Sequence, residues 1–175
     1  MDTGLIHIYC GDGKGKTTAA IGLSLRCVGH SGTIVFTQFL KGRETGELAI
    51  LQQLPSVTVL RGKGLTKFTF QMSTEEKATC KASQEALWDK AVALIYDIQP
   101  DMAVFDEVIG ACHLSMVDEK KVLDFLRHKP KKTEVVMTGR NPSQALLKQA
   151  DYVSEIVKRK HPFDEGIGAR VGIEF

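Results

Sequence analysis

One short run restricts the possible folds more than anything else in the chain. Residues 5–10 are apolar enough to form a strand. They lead into Gly11-Asp12-Gly13-Lys14-Gly15-Lys16-Thr17-Thr18, and Ala19-Ala20-Ile21-Gly22-Leu23 follows with helical character. Three glycines allow backbone angles that other residues resist, so the main chain can wrap an anion. The start of the following helix adds unpaired N–H groups and a favourable dipole. Lys16 offers positive charge to phosphates, and Thr17 offers a hydroxyl to magnesium, or to manganese in its place. The run therefore reads as a nucleotide-binding loop with Gly11, Asp12, Gly13, Lys14, Gly15, Lys16, Thr17 and Thr18 as its candidate residues. It departs in one place from the common Gly-x-x-x-x-Gly-Lys-Thr pattern, which would need glycine where Cys10 stands. With Gly11 as its first glycine, the loop is one residue tighter.

Such a loop works at the edge of a parallel sheet, and the remaining pattern supplies one. Apolar runs at residues 33–39, 57–60, 102–105 and 133–137 read as strands, with later ones at 152–157 and 169–173. Helical patterns cover 16–28, 46–54 and 117–126. Ser73-Thr74-Glu75-Glu76 is a capping box, in which Ser73 caps a backbone N–H and Glu76 reaches back. It opens a long helix that keeps near-helical apolar spacing up to Pro100. Asn141-Pro142 reads as a cap followed by proline in a first helical turn. Strands alternating with helices predict an α/β fold of three layers, a mostly parallel sheet with helices on both faces. This is the P-loop NTPase (RecA-like) arrangement. No repeat or linker divides the chain, so a single domain over residues 1–175 is expected.

Composition removes other classes. With 43% apolar and 25% charged residues, the chain is neither a disordered tail nor collagen-like. Its formal charge of +2 lacks the basic footprint of a nucleic-acid binder. No apolar run approaches the ~18 residues of a membrane span. Met1-Asp2-Thr3-Gly4 has no basic patch leading into a signal core, so a cytoplasmic location is expected. Cys10, Cys27, Cys80 and Cys112 form no Cys-x-x-Cys pair and read as reduced, mostly buried thiols. Cys112-His113 lacks the second pair that a zinc site would need.

Ligands of parallel sheets collect where the strands end. The run Met102-Ala103-Val104-Phe105 ends on Asp106-Glu107, so a buried strand delivers two carboxylates to that edge. Thr17, Asp106 and Glu107 are the candidate metal residues, directly or through water.

Further segments narrow the reading. They are Gln38-Phe39-Leu40-Lys41-Gly42, Thr138-Gly139-Arg140, Ala150-Asp151-Tyr152-Val153-Ser154-Glu155, and a tail that begins Lys160-His161-Pro162-Phe163-Asp164-Glu165-Gly166. Together with the tight loop and the acidic pair, they make the chain resemble the P-loop ATP:corrinoid adenosyltransferases over nearly its whole length. The resemblance implies that a cobalt(I) corrinoid attacks the 5′ carbon of ATP and inorganic triphosphate leaves. It also implies that ATP lies reversed relative to most P-loop proteins. The loop would then hold the triphosphate as a leaving group, with Lys16, Thr17 and Glu107 as catalytic residues and Lys41 and Arg140 as further nucleotide contacts. Because cobalt(I) is itself the nucleophile, the protein's tasks are alignment and stabilisation of growing charge. A flavin-type reductase and a homodimer follow from the resemblance alone.

Two departures stand out. Relatives carry additional N-terminal residues that help cover the corrinoid; here the first strand begins almost at once, so any cover is expected from elsewhere. Relatives also carry Gly-Phe-Thr-Trp, whose aromatics press on the lower face of the corrinoid, where this chain has Gly64-Leu65-Thr66-Lys67. Leu65, Phe68 and Phe70 are the candidate corrinoid contacts, the two phenylalanines substituting after a small shift. Packing under a loop is the other reading of those rings. His161 belongs to the tail motif and is expected near the nucleotide, whereas His7 reads as a sheet residue and Trp88 as packing. The alternatives to the adenosyltransferase are a small-molecule kinase or ATPase using the same loop, and a non-catalytic relative that binds nucleotide and corrinoid.

Overall fold

The computed structural model describes residues 3–42, 45–62, 64 and 71–175. The strands among them are β1 (Ile6–Cys10), β2 (Ile34–Gln38), β3 (Val57–Arg61), β4 (Met102–Asp106), β5 (Glu134–Thr138) and β6 (Tyr152–Glu155). They form one all-parallel sheet in the order β3-β2-β4-β5-β1-β6. The helices are α1 (Lys16–Gly29), α2 (Gly46–Leu51), α3 (Thr74–Ile98), α4 (Val108–His113), α5 (Glu119–His128) and α6 (Gln144–Gln149).

Alternate side chains of a strand point to opposite faces, and here each face has its own core. Val35, Ala103, Phe105, Val135 and Met137 pack with Leu87, Trp88, Ala91 and Ile95 of α3 and with Val122, Phe125 and Leu126 of α5. Ile34, Phe36, Met102, Val104 and Val136 pack with Ala20 of α1 and with Leu48 and Leu51 of α2. Every residue of β2 and β4 is buried, which is why these strands read as continuous apolar runs. The expected three-layer α/β fold is therefore present, consistent with a P-loop NTPase-like core. Trp88 is a packing residue, its ring 4.9 Å from Phe105 and edge-on to Phe125 at 5.7 Å. The long helix starts at the expected box: Ser73 Oγ accepts from the Glu76 N–H, and Glu76 Oε2 accepts from the Ser73 N–H.

Several expectations are corrected. Residues 169–173 are not a strand. Arg170 and Glu174 close that segment into a turn, with guanidinium–carboxylate contacts of 3.1 and 3.2 Å and Gly172 at φ 78°. The sixth helix is capped by Ser143, whose Oγ accepts from the Leu146 N–H, and not by Asn141, which sits at φ 54° before Pro142. Helix α4 lies on residues for which the apolar pattern predicts no element. Helix α5 starts after Asp118, whose carboxylate takes the Lys120 N–H, two residues later than the apolar pattern suggested. Helix α2 and strand β6 each stop short of their expected ends.

For function, the order of the strand ends matters most. Cys10, Gln38, Asp106 and Thr138 are the last residues of β1, β2, β4 and β5, all on one edge. Strand β5 lies between β1 and β4, so Thr138 stands between the glycine loop and the acidic pair.

Candidate active site

The loop is shaped as much by its neighbour as by any ligand. Gly13 N donates to Ile156 O at 2.7 Å, on the chain leaving β6. A Cβ on Gly11 would collide with the Ile156 carbonyl, and one on Gly13 would lie 2.7 Å from it. Gly15 differs: at φ 120° it has open space around it, and it caps α1. Gly11 and Gly13 thus answer to the close approach of the chain leaving β6, and Gly11 and Gly15 to a positive φ, 101° and 120°. Lys158 N donates to Asp12 Oδ1 at 2.9 Å, a bond that holds the Asp12 carboxyl below its usual range.

Lys16 is buried and folds back over the loop. Its ammonium donates to Gly11 O and Gly13 O, each at 2.8 Å. Burial lowers its pKa from the ordinary lysine value, while the Glu107 carboxylate pulls the other way. Of the three donors on an ammonium, two are therefore committed to loop carbonyls.

The acidic end is built around Asp106, which is fully buried. Oδ1 accepts from Thr17 Oγ1 at 2.8 Å and from Thr138 Oγ1 at 2.7 Å. Oδ2 accepts from Gln38 Nε2 at 3.1 Å and pairs with Lys41 Nζ at 3.1 Å. The carboxylate is satisfied on both oxygens, as burial requires. Thr17 spends its only hydrogen on Asp106, so its lone pairs face the cleft. A hydroxyl oxygen with carboxylates beside it is a donor set that suits a hard divalent cation. Glu107 follows at φ 62°, its N–H held by Thr138 Oγ1 at 2.9 Å. Burial raises its pKa first, the Asp106 charge second, and Lys41, Lys16 and Arg140 partly offset both.

These groups border a cleft of about 620 Å³ at the carboxyl edge of the sheet. Asp12, Gly13, Lys14, Gly15, Lys16, Thr17, Thr18, Lys41, Glu107 and Arg140 line it. Asp106 is fully buried and, like Gly11, is not among the residues that line it. His161 lines it too, as do Glu47 and residues 172–175 of the tail. Leu65, Phe68 and Phe70 lie outside the described residues, as does Lys67.

Three polar residues escaped the sequence reading as site residues: Gln38, Thr138 and Glu47. The first two touch Asp106; Glu47 Oε1 lies 3.7 Å from Lys41 Nζ. Gln38 and Thr138 end β2 and β5 and open two of the segments that carry the resemblance, a signal that points to Asp106 only once the strand order is known; Glu47, in the first turn of α2, carried none. Burial pushes the Cys112 thiol up to about 12, which disfavours its thiolate at neutral pH. No described helix is long and apolar enough to cross a membrane.

A parallel sheet with a glycine-lined, cation-rimmed cleft at its carboxyl edge defines an α/β protein suited to an extended polyanion. Residues 2–175 match the family model described as ATP:corrinoid adenosyltransferase BtuR/CobO/CobP, and the chain belongs to that family. It is 37% identical to a corrinoid adenosyltransferase of Sinorhizobium sp, over 99% of this chain and 81% of that one. It is 33% identical to the corrinoid adenosyltransferase CobA of Salmonella typhimurium and 31% identical to the corrinoid adenosyltransferase of Escherichia coli K12. Each of these two alignments covers 99% of this chain and 87% of the relative.

Proposed function

We propose that this chain transfers the 5′-deoxyadenosyl group of ATP to the cobalt(I) of a corrinoid and releases triphosphate, in the making or salvage of adenosylcobalamin. Cobalt(I) gives an electron pair to the 5′ carbon. The C5′–O bond breaks, and its electrons leave on the triphosphate. Family membership supports the reaction. The observation that supports the site is the convergence of Lys14, Lys16, Lys41 and Arg140 on one cleft beside the glycine loop.

In this reading the loop N–H groups and Lys16 grip the triphosphate and stabilise the charge it gains. Lys14, Lys41 and Arg140 extend the cationic surface along it, and Thr18 and Asp12 border the phosphates. Magnesium, or manganese, would be held by Thr17 and Glu107 with Asp106 orienting Thr17, and would supply charge neutralisation for the leaving group. Leu65, Phe68 and Phe70 would contact the corrinoid, a flavin-type reductase would deliver electrons to the cobalt, and the protein would act as a cytoplasmic homodimer. The test is to mix the protein with ATP, magnesium and chemically reduced corrinoid and identify the phosphate product. Triphosphate with a new cobalt–carbon bond is expected. ADP would mean phosphoryl transfer, and binding without turnover would mean a carrier or sensor.

A further inference from the structure

Lys41 stands where another cation belongs. Its Nζ is 3.1 Å from Asp106 Oδ2 and 3.2 Å from Thr17 Oγ1. The hydrogen of that hydroxyl is already committed to Asp106 Oδ1, at 2.8 Å. The Lys41 ammonium therefore donates to one of the two lone pairs of Thr17. A divalent cation on the other would lie beside the ammonium, and like charges that close repel strongly.

The surroundings explain why an ammonium is there. Asp106 is fully buried, and an uncompensated buried carboxylate is costly. Thr17, Thr138 and Gln38 give it hydrogen bonds but no positive charge; Lys41 gives it both. The Lys41 backbone is well held: its N–H bonds to Phe39 O at 2.6 Å, its carbonyl accepts from Arg61 at 3.2 Å, and Leu40 before it sits at φ 60°. Its side chain is 27% exposed and borders the cleft, so the ammonium can swing while the main chain stays.

We infer that Lys41 is a place-holding cation. It sits against Thr17 and Asp106 and repels a metal from them in the nucleotide-free protein, and it moves away when the phosphates arrive to receive both the metal and the displaced ammonium. The metal then enters with the nucleotide and not before it. This rests on the reading of Thr17 and Asp106 as the metal's partners.

Manganese(II) is the probe, followed by electron paramagnetic resonance with and without ATP. Nucleotide-free wild-type protein binds the ion weakly. Lys41→Met and Lys41→Gln, the second keeping a hydrogen-bond donor for Asp106 so that the fold is preserved, bind it at least about tenfold more tightly without ATP. Adding Thr17→Val to either variant removes the gain. Suppose Thr17→Val releases manganese from the ATP complex while both Lys41 variants bind no better than wild type without ATP. The place-holding role is then overturned and the metal reading survives. If Thr17→Val changes manganese binding in neither arm, the metal reading fails and the inference falls with it.

Discussion

Replacing Thr138 with valine tests how the two carboxylates are held. Thr138 lines no part of the cleft, yet its hydroxyl donates to Asp106 Oδ1 at 2.7 Å and accepts the Glu107 N–H at 2.9 Å. Valine keeps the shape and removes both bonds. A hydrogen bond to a charged group is worth roughly 1.5–3 kcal/mol, and a buried N–H left without a partner costs roughly 1–3 kcal/mol more. The expected loss is therefore about 3–5 kcal/mol, read as a fall in the urea midpoint with an unchanged slope. For a chain of this size that lowers the melting temperature by about 10 °C. Activity should fall with it, because Asp106 and Glu107 lose their common anchor, and more magnesium should be needed for half-maximal rate. Thr138→Ser restores both, since it keeps the hydroxyl. A loss below about 1 kcal/mol in Thr138→Val would refute the reasoning, as would a serine variant no better than valine.

Other outcomes follow from the same contacts. Gly13→Ala sets a Cβ 2.7 Å from Ile156 O and 2.9 Å from Val157 C, so it should cost about 2 kcal/mol and speed amide exchange at Gly13. Lys16→Ala should abolish turnover while leaving the fold intact, as shown by loss of triphosphate binding with unchanged circular dichroism; normal turnover would contradict the phosphate assignment. Glu107 has a folded pKa above its ordinary 4.5, so its charge opposes folding at neutral pH, and that penalty disappears as pH falls below 4.5. Glu107→Gln should then melt higher than wild type at pH 7 without metal, lose that advantage in acid, and be less active. Asp101 behaves in the opposite sense. The Thr33 N–H at 2.9 Å depresses its pKa below 3.8, so it stabilises the fold above that pH and stops doing so as pH falls through the folded value. Asp101→Asn should be less stable than wild type at pH 6, with the gap narrowing below 3.8 in urea titrations.

The local grammar of this chain was legible before any coordinates. A strand, a glycine loop, Lys16-Thr17 and a helix can be read in order, because backbone freedom, helix starts and apolar runs are properties of neighbouring residues. The same holds for the Ser73–Glu76 box and for the acidic pair at the end of β4. Where a pattern was weak, reading failed: residues 169–173 alternate like a strand, but they have no sheet neighbour, and Arg170 with Glu174 folds them into a turn. The placing of β5 between β1 and β4 was decided only by the tertiary structure. That placement makes Thr138 the bridge to Asp106; the pairing of β6 with β1 sends Ile156 against Gly11 and Gly13, and the pairing of β2 with β4 brings Lys41 onto Asp106 and Thr17. Such contacts join residues as far apart as Gly13 and Ile156, and strand order depends on how all the apolar faces are buried at once. No stretch of neighbouring residues records that.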